Sequence, residues 1–451
     1  MTLQNTKTFP QGGVHPANNK LTADQPIQDL PLPASVSVHL GQHIGKPAAP
    51  VIRVGDTVKV GQLIARADGF ISAAVHAPVS GRIEKFIDVM DQTGYKKPAV
   101  VIRTDGDHWQ EGIDLSPDLV TDIKADGETI IQKIADAGII GMGGAGFPTH
   151  VKLRPPEGKT IEYLLINGVE CEPFLTSDHR LMLEKGHELV VGIKILLKAL
   201  RINKAMIGIE DNKKDAIELL RQHAAAERQI EIYPLKVWYP QGGERQLIKS
   251  LTQREIPPPP KGLPVDVGCA VFNVATTLAV YEAVQKNKPC MDRVVTITGA
   301  GLTNPGNFRV RVGTFVTQLI EAAGGLPDNA GKILSGGPMM GKALPQTDIP
   351  ITKTMGGIVI FPANQACRKP SMECIRCAKC VSVCPLGLEP YLLMTLSEKG
   401  LWERAREERM LSCCECACCQ YICPSNRPLL DYIRYGKSVL TQMLRAEKNH
   451  E

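Results

Sequence analysis

The C-terminal part of the chain contains the stretch Cys374-x2-Cys377-x2-Cys380-x3-Cys384-Pro385 and repeats its spacing in Cys413-x2-Cys416-x2-Cys419-x3-Cys423-Pro424. Three thiolates at three-residue intervals can bind three irons of a cubane, and a fourth thiolate placed before a proline can reach a neighbouring cluster. The two copies therefore predict two [4Fe–4S] clusters and the transfer of single electrons.

Zinc and disulfides are the alternatives for these cysteines. Thiolates at short spacings also form tetrahedral zinc sites, but zinc sites usually use two pairs of cysteines that stand well apart. No N-terminal segment combines a basic stretch, an apolar run and a small-residue cleavage site. Reduced thiols in the cytosol are therefore expected rather than disulfides.

The spacing is that of two-cluster ferredoxins, in which the fourth cysteine of each run binds the other cluster. This similarity assigns one cluster to Cys374, Cys377, Cys380 and Cys423, and the other to Cys413, Cys416, Cys419 and Cys384. Cys414 and Cys418 crowd the second copy and, with Cys367, are interpreted as packing thiols. Roles for Cys171, Cys269 and Cys290 stay open.

Length and charge set wider limits. A chain of 451 residues is too long for one core and predicts three or four domains. A net charge of +5 is small for this length and predicts neither a nucleic acid nor a membrane surface as a partner. The most apolar helical segment, Leu189 to Leu200, is interrupted by Lys194 and Lys198, so no membrane span is expected.

The sequence pattern divides the chain into five parts. Residues 1–30 show no periodicity and are interpreted as an arm, whereas residues 31–110 show short strands separated by turn signals. Residues 111–290 alternate helix and strand patterns, which predicts a largely parallel sheet. Residues 291–362 predict a small β-grasp unit, and residues 363–451 form the cysteine-rich helical part. Four prolines, Pro257 to Pro260, predict a stiff extended segment.

A glycine-rich stretch, Gly141-Met-Gly143-Gly144-Ala-Gly146, matches the dinucleotide fingerprint G-x-G-x-x-G. That fingerprint requires a strand directly upstream, whereas Thr129 to Ala137 has the apolar spacing of a helix. An ordinary Rossmann context is therefore absent. A simple glycine-rich turn stays an alternative, although glycine backbone would also allow close approach of a ligand.

The loop resembles a known family once it is combined with its neighbours Ile166-Asn-Gly-Val-Glu-Cys-Glu-Pro173, Tyr239-Pro-Gln-Gly-Gly-Glu244 and Phe272-Asn-Val-Ala-Thr-Thr-Leu278. These motifs are similar to those of the FMN- and NADH-binding subunit of respiratory complex I. Residues 31–110 also resemble the barrel-sandwich hybrid of lipoyl carriers, although the tip Ala67 to Ala74 lacks a carrier lysine. With the cysteine motifs, nearly the whole chain resembles the RnfC family of Rnf ferredoxin:NAD oxidoreductase complexes.

The resemblance implies a multidomain α/β + β + α fold. It would comprise an N-terminal barrel-sandwich hybrid, a Rossmann-like α/β domain for FMN and NADH, an SLBB-like β-grasp domain and a C-terminal helical domain with two [4Fe–4S] clusters, similar to a ferredoxin. The domain boundaries are those of the five parts above.

The resemblance also implies cofactor-binding residues. Lys152 would lie near the FMN phosphate, where a long-stemmed point charge suits an anion, and Glu244 would lie near the flavin and the nicotinamide. The remaining residues would bind the flavin through side chains (Asn167, Glu170, Asn273), allow close backbone approach (Gly141, Gly143, Gly144) or contact NADH (Phe147, Glu172).

Each of these roles has a plainer alternative, since Glu170 and Glu172 could belong to a solvated loop and Phe147 to a core. The sequence also departs from the complex I pattern. Val169 replaces an aspartate, and Gly243 and Phe272 replace an acid and an asparagine. The contacts to the flavin ribityl chain and the nucleotide are therefore expected to differ.

The implied function is hydride exchange between NAD(H) and FMN, with single electrons passing through the clusters. No side chain is expected to act as a nucleophile or general base. The implied partners are NADH and the other subunits of an Rnf-type membrane complex, including a ferredoxin-like iron–sulfur subunit. The chain would lie peripherally at the cytoplasmic face of the bacterial membrane. Electron transfer would be coupled to the translocation of Na⁺ or H⁺. Two alternatives are a cobalamin reductase with related domains and an electron-wiring module without NADH activity.

Overall fold

The structure is a computed structural model that describes residues 6–258 and 262–450. Residues 1–5 of the predicted arm, and Pro259 and Pro260 of the predicted stiff segment, lie outside the described residues.

The N-terminal arm lies against several other parts of the chain. Lys7 and Val14 form isolated β-bridges with Leu235 and Tyr239, and strand β1 (Ile27–Asp29) pairs in parallel with residues 307–309. The Gly13 N–H donates to the Val383 carbonyl at 2.8 Å. These contacts use backbone groups, which explains why the side-chain pattern of the arm shows no periodicity.

Two small β-sheets follow the arm. Their strands are β2 (Ser35–His39), β3 (Ala49–Pro50), β4 (Thr57–Val58), β5 (Leu63–Arg66), β6 (Val75–His76), β7 (Ser80–Met90) and β8 (Lys96–Gly106). The strand orders are β2-β8-β7-β4 and β3-β5-β6. Apolar side chains of both sheets, among them Val36, Ile64 and Ile102, form one buried core, as expected for a barrel-sandwich hybrid.

The largest domain is built on a parallel sheet. Its elements are α1 (Gly127–Asp136), α2 (Thr149–Lys152), β9 (Tyr163–Gly168), α3 (Ser177–Glu184), α4 (Gly186–Leu200), β10 (Ala205–Glu210), α5 (Lys214–His223), β11 (Ile230–Leu235), α6 (Glu244–Thr252), a 3₁₀ turn (Pro264–Val267), β12 (Cys269–Asn273) and α7 (Val274–Gln285). The strand order is β11-β10-β9-β12, and every pair is parallel.

Both faces of this sheet are covered, as parallel sheets require. Successive side chains of a strand point to opposite faces, and Leu164 accordingly packs with α1, α4 and α7, whereas Leu165 packs with α6. The apolar residues that predicted helices at Thr129 to Ala137 and Leu189 to Leu200 lie on the buried sides of α1 and α4. The sheet is therefore rigid where its strands end.

A third domain follows with elements β13 (Asp292–Gly299), β14 (Gly306–Arg311), α8 (Val316–Ala322), β15 (Ala330–Ser335), β16 (Lys342–Ala343) and β17 (Gly357–Pro362). Its sheet has the order β1-β14-β13-β17-β15-β16, so the arm supplies one edge strand. Strand β13 is antiparallel to β14 and parallel to β17, and α8 packs on the shared core. The arrangement agrees with the predicted β-grasp unit.

The C-terminal part is helical. Its helices are α9 (Ala363–Ala366), α10 (Lys379–Ser382), α11 (Pro390–Glu398), α12 (Trp402–Glu407), α13 (Cys418–Ile422) and α14 (Leu429–His450), with a 3₁₀ turn at Met410–Ser412. Helices α11 and α14 share a buried core that includes Leu393 and Ile433. In the described residues, no helix has the length and apolar character that a membrane span needs.

The close approach of the arm to the other domains gives a stability prediction. Gly13 and Gly112 have the same φ of +87°, but a Cβ at Gly13 would overlap the indole nitrogen of Trp238, whereas a Cβ at Gly112 has nothing within 4 Å. Both alanine variants bear the left-handed backbone cost of about 1–2 kcal/mol. Gly13→Ala should therefore lower the melting temperature clearly more than Gly112→Ala, and equal melting temperatures would show that the arm does not pack at this point.

Candidate functional site

The parallel sheet reverses its strand order at one place. In the order β11-β10-β9-β12, strands β10 and β11 lie on one side of β9, and β12 lies on the other side of β9. Ligands of such folds bind beyond the carboxyl ends of the strands at this switch point. Asn167 of β9 and Asn273 of β12 are register partners there. The structure thus brings together two residues for which the sequence predicted flavin contacts.

The glycine loop lies at this same edge. A Cβ on Gly143 would lie 3.0 Å from the Asn273 Cβ, and Gly144 has a φ of +131° with open space around its Cβ position. Gly143 and Gly144 are exposed, whereas Gly141 is half-buried and its N–H donates to the Phe147 carbonyl at 2.8 Å. The loop follows helix α1 rather than a strand, which confirms that it is not an ordinary Rossmann fingerprint.

Lys152 and Glu244 meet beside the end of β12. The Lys152 Nζ lies 3.7 Å from Glu244 Oε1 and donates to the Val271 carbonyl at 2.8 Å. It also lies 5.3 Å from the centroid of the Phe272 ring. About a third of the Lys152 side chain and nearly half of the Glu244 side chain are exposed (32% and 45%). A partly exposed ammonium at this edge is suited to an anionic group such as a phosphate.

Glu170 and Glu172 both have protein partners. The Glu170 carboxylate accepts the backbone N–H groups of Asp178 at 2.7 Å and His179 at 3.1 Å, so it caps the start of α3. The Glu172 carboxylate accepts the N–H groups of Met339 at 3.1 Å and Met340 at 2.7 Å in the third domain. Burial raises the pKa of Glu172. These acids therefore order the loop after β9 instead of lying free in solvent.

Phe147 is half-buried at the end of the glycine loop, next to the residues that begin α2. Phe147 is therefore not a fully buried core residue.

A buried group of charged residues lies beneath the loops, and the sequence did not predict it. The Asp178 Oδ2 accepts from the Asn273 amide at 2.6 Å, while its Oδ1 is buried without a partner. Burial raises the pKa of Asp178 to about 6, and the nearby Glu170 adds to the rise. Arg293 donates to the Met142 carbonyl at 2.9 Å and so supports the glycine loop. These residues come from distant segments, and their meeting depends on the tertiary fold.

One cavity brings cysteines of both copies together. Cys384 of the first copy lines it with Cys413, Cys416 and Cys419 of the second copy. Apolar side chains such as Leu393 complete the walls, and further cysteines, Cys414 and Cys418, also line the cavity. Six cysteines thus line this apolar cavity, and they include the four that were assigned to one iron–sulfur cluster.

The other predicted set lies at the surface. Cys380 and Cys423 pack with Met394, Cys419 and Leu429, whereas Cys374 and Cys377 are exposed. In the described ranges, no three histidine, cysteine, aspartate or glutamate side chains gather closely enough to surround a single metal ion.

Burial affects the protonation of the cavity thiols. It raises the pKa of Cys384, and it raises the pKa of Cys413 to about 12. The thiols are therefore neutral at physiological pH unless a metal binds them, and metal binding has to release their protons.

One packed layer connects the two candidate sites. Asn167 donates to the Gly242 carbonyl at 2.9 Å, and Cys171 accepts from the Gly242 N–H at 3.4 Å. From the same segment, Tyr239 packs with Cys416 and Cys418 in one buried cluster. The segment Tyr239 to Glu244 thus contacts the switch point at one end and the cysteine cavity at the other.

The comparisons with known proteins agree with this architecture. Residues 134–282 match the family model of the Nuo51 FMN-binding domain, residues 7–107 match the RnfC barrel sandwich hybrid domain, and residues 294–343 match the SLBB domain. The fold and the site therefore define a multidomain protein with a flavin domain of the complex I type, and the predicted fold class is confirmed.

Relatives similar over nearly the full length identify the family. The C component of the proton-translocating ferredoxin:NAD(+) oxidoreductase complex of Clostridium ljungdahlii is 43% identical, with 96% of this chain and 94% of that protein covered. The C component of the Na(+)-translocating complex of Acetobacterium woodii is 38% identical, with 95% and 96% covered. The C component of the ion-translocating oxidoreductase complex of Rhodobacter capsulatus is also 38% identical, with 98% and 84% covered. The chain belongs to the RnfC family, and the resemblance found in its sequence is confirmed.

The contact between Asn273 and Asp178 gives a pH-dependent prediction. The pKa of Asp178 is raised from 3.8 to about 6 in the folded chain. Between these two pH values folding takes up a proton, so the stability of the fold falls as the pH rises from the lower value to the higher one. Asn273→Asp keeps an acceptor for the Ala275 N–H but replaces the donor to Asp178 by a second carboxylate. In this variant, the pH range over which stability falls should therefore extend above pH 6.

Thermal melts between pH 5 and pH 8 measure the effect. Asn273→Asp should lose more stability relative to the native chain at pH 8 than at pH 5, while Asn329→Asp at an exposed position should not. Parallel pH profiles for Asn273→Asp and the native chain would contradict the assigned contact.

Proposed function

We propose that this chain exchanges a hydride between NAD(H) and FMN at the switch point and relays single electrons through two [4Fe–4S] clusters. The observation that supports this function most directly is the packing of the segment Tyr239 to Glu244. This segment contacts Asn167 at the edge of the sheet and Cys416 at the cysteine cavity. The relatives named as components of ferredoxin:NAD(+) oxidoreductase complexes support this function.

The residues at the switch point fit a bound FMN. Open space beside Gly144 leaves room for a flat ring, and the absence of a Cβ at Gly143 lets the loop lie close to Asn273. The Lys152 ammonium is accessible to a phosphate. Asn167 and Asn273 present amides at the same edge. When bound, FMN converts two-electron hydride exchange into single-electron steps.

The protein contributes position and electrostatics rather than a nucleophile or base. Glu170 and Glu172 order the loop after β9 through their backbone acceptor contacts. Phe147 borders the position proposed for the nicotinamide, and Glu244 keeps a negative charge beside Lys152. Tyr239, at the start of the segment that reaches the switch point, is buried against Cys416 and Cys418.

The burial of the cysteines suggests the order of electron transfer. The set lining the cavity (Cys384, Cys413, Cys416, Cys419) adjoins the segment that reaches the flavin edge. The other set includes the exposed Cys374 and Cys377. We assign the cavity set to the cluster next to FMN and the surface set to the cluster that meets a partner.

The family context supports a place in a larger assembly. The relatives are named as subunits of complexes that translocate protons or Na⁺. We propose that this chain binds the other subunits of such an assembly, including a ferredoxin-like iron–sulfur subunit, and lies peripherally at the cytoplasmic face of the membrane. The N-terminal match to the RnfC barrel sandwich domain favours this function over a cobalamin reductase.

Replacing a cavity cysteine should remove one cluster. The native chain should contain about eight irons, and Cys384→Ala about four, because the variant lacks one ligand of the cavity cluster. Cys414→Ala should keep the native iron content, since Cys414 is not among the proposed ligands. Iron analysis and electron paramagnetic resonance after anaerobic reduction measure this, and two zinc ions in place of iron would contradict it.

Replacing Lys152 should weaken flavin binding. A hydrogen bond to a charged group contributes about 1.5–3 kcal/mol, so Lys152→Met should bind FMN about 10- to 100-fold more weakly. Lys159→Met is the matched control, because Lys159 pairs with Asp266 near the opposite ends of the strands. Released FMN is measured by fluorescence, and an anaerobic titration with NADH follows flavin bleaching. A wiring module without NADH activity would release no FMN from the native chain.

A further inference from the structure

The loop after β9 is held from outside by the N-terminal arm. Every second residue of this part of the arm, namely Asn18, Lys20 and Thr22, is hydrogen-bonded to the loop. The Asn18 carbonyl accepts the Phe174 N–H at 2.9 Å, and the Thr22 hydroxyl lies 2.6 Å from that of Thr176. The arm therefore follows the loop that contains Glu170 and Glu172.

The backbone of this loop needs such support. Glu170 and Phe174 are not glycines, yet their φ angles are +48° and +73°. L-residues rarely adopt this left-handed region, and conformations of this kind persist only where the surroundings fix them. The loop would relax if its external contacts were removed.

Lys20 makes the central contact. Its ammonium donates to the carbonyls of Glu170 at 2.8 Å, Glu172 at 2.9 Å and Leu175 at 2.6 Å. Three donors thus meet three acceptors on one loop, and hydrogen bonds from a charged donor are stronger than neutral ones. One lysine of the arm therefore fixes three peptide groups of the loop at a single point.

We propose that Lys20 is a positioning residue for the NADH and flavin site, which it serves by fixing the backbone of residues 170–175. This inference rests on the proposed function, because the loop positions the nicotinamide only if NAD(H) binds there. The arm would then be part of the redox site although it lies far from it in the sequence.

The charge of Lys20 gives the proposal a specific signature. Burial, together with the nearby Lys213, lowers the pKa of Lys20 to about 8, although Glu170, Glu210 and Cys171 oppose the fall. A neutral amine has only two N–H groups for three carbonyls. NADH oxidation should therefore weaken as the pH rises through about 8, while a permanently charged guanidinium would not lose its proton.

The experiment compares Lys20→Met, Lys20→Arg and Lys7→Met in the full chain with bound cofactors. Lys7 is a matched control on the same arm, since its ammonium contacts Leu251 and the Tyr233 ring instead of the loop. The measurement is kcat/KM for NADH per bound FMN, with ferricyanide as acceptor, from pH 6.5 to 9.5. Iron content monitors the integrity of the cysteine domain.

Lys20→Met should lower kcat/KM by about 10- to 100-fold at pH 7, because the binding site is misplaced. Its iron content should stay unchanged. Lys7→Met should keep the kcat/KM of the native chain. Lys20→Arg should restore most of the activity and remove the decline above pH 8. A native kcat/KM in Lys20→Met, or equal losses of activity, flavin and iron in the Lys20 and Lys7 variants, would overturn the proposal.

Two further results separate the possible failures. If the Lys20 variants do not fold, the native pH profile decides, and a flat profile from pH 7 to 9.5 overturns the proposal. If the native chain itself binds no FMN or does not oxidise NADH, the proposed function fails rather than the role of Lys20.

Discussion

The packing of Tyr239 against Cys416 and Cys418 joins the sheet domain to the cysteine domain. Electron transfer between two cofactors depends on their separation, and that separation is only as constant as the contact between the domains that hold them. Here the contact is made by a short segment whose Gly242 is also bonded to Asn167. A shift of this segment would move both sites together, so their spacing is built into the backbone.

Buried charge is concentrated around the same junction. Lys213 donates to the buried Val169 carbonyl at 2.8 Å and to the buried Glu210 carboxylate at 3.1 Å. Arg293 and Asp178 add a further opposite pair nearby. Removing one member of such a set leaves an uncompensated charge, which is costly in a low dielectric. The Lys213 contacts therefore link the loop after β9 to the end of β10.

Much of this architecture was predictable because the signals were local. The apolar spacing of Thr129 to Ala137 and the helical segment Leu189 to Leu200 predicted two helices, and the structure contains them as α1 and α4. The cysteine spacing predicted two sets of four thiols, and the members of one set line one cavity together with Cys414 and Cys418. Lys20 and Arg293 were missed, since a single lysine or arginine has no local signal that shows which distant carbonyls it will meet. The bonding of the Glu170 carboxylate to α3 also depends on a turn that residue propensities do not specify.

The arm has a consequence for how the protein is made. Its backbone bonds to Val383, and a side chain at Gly12 would collide with the backbone of Cys384, so a segment that leaves the ribosome early rests on one translated much later. Contacts between such distant parts of a chain form late and slowly during folding. The contacts of Gly12 and Gly13 can form only after residues 383 and 384 have been synthesised, so this end of the arm is among the last parts of the chain to reach its final position.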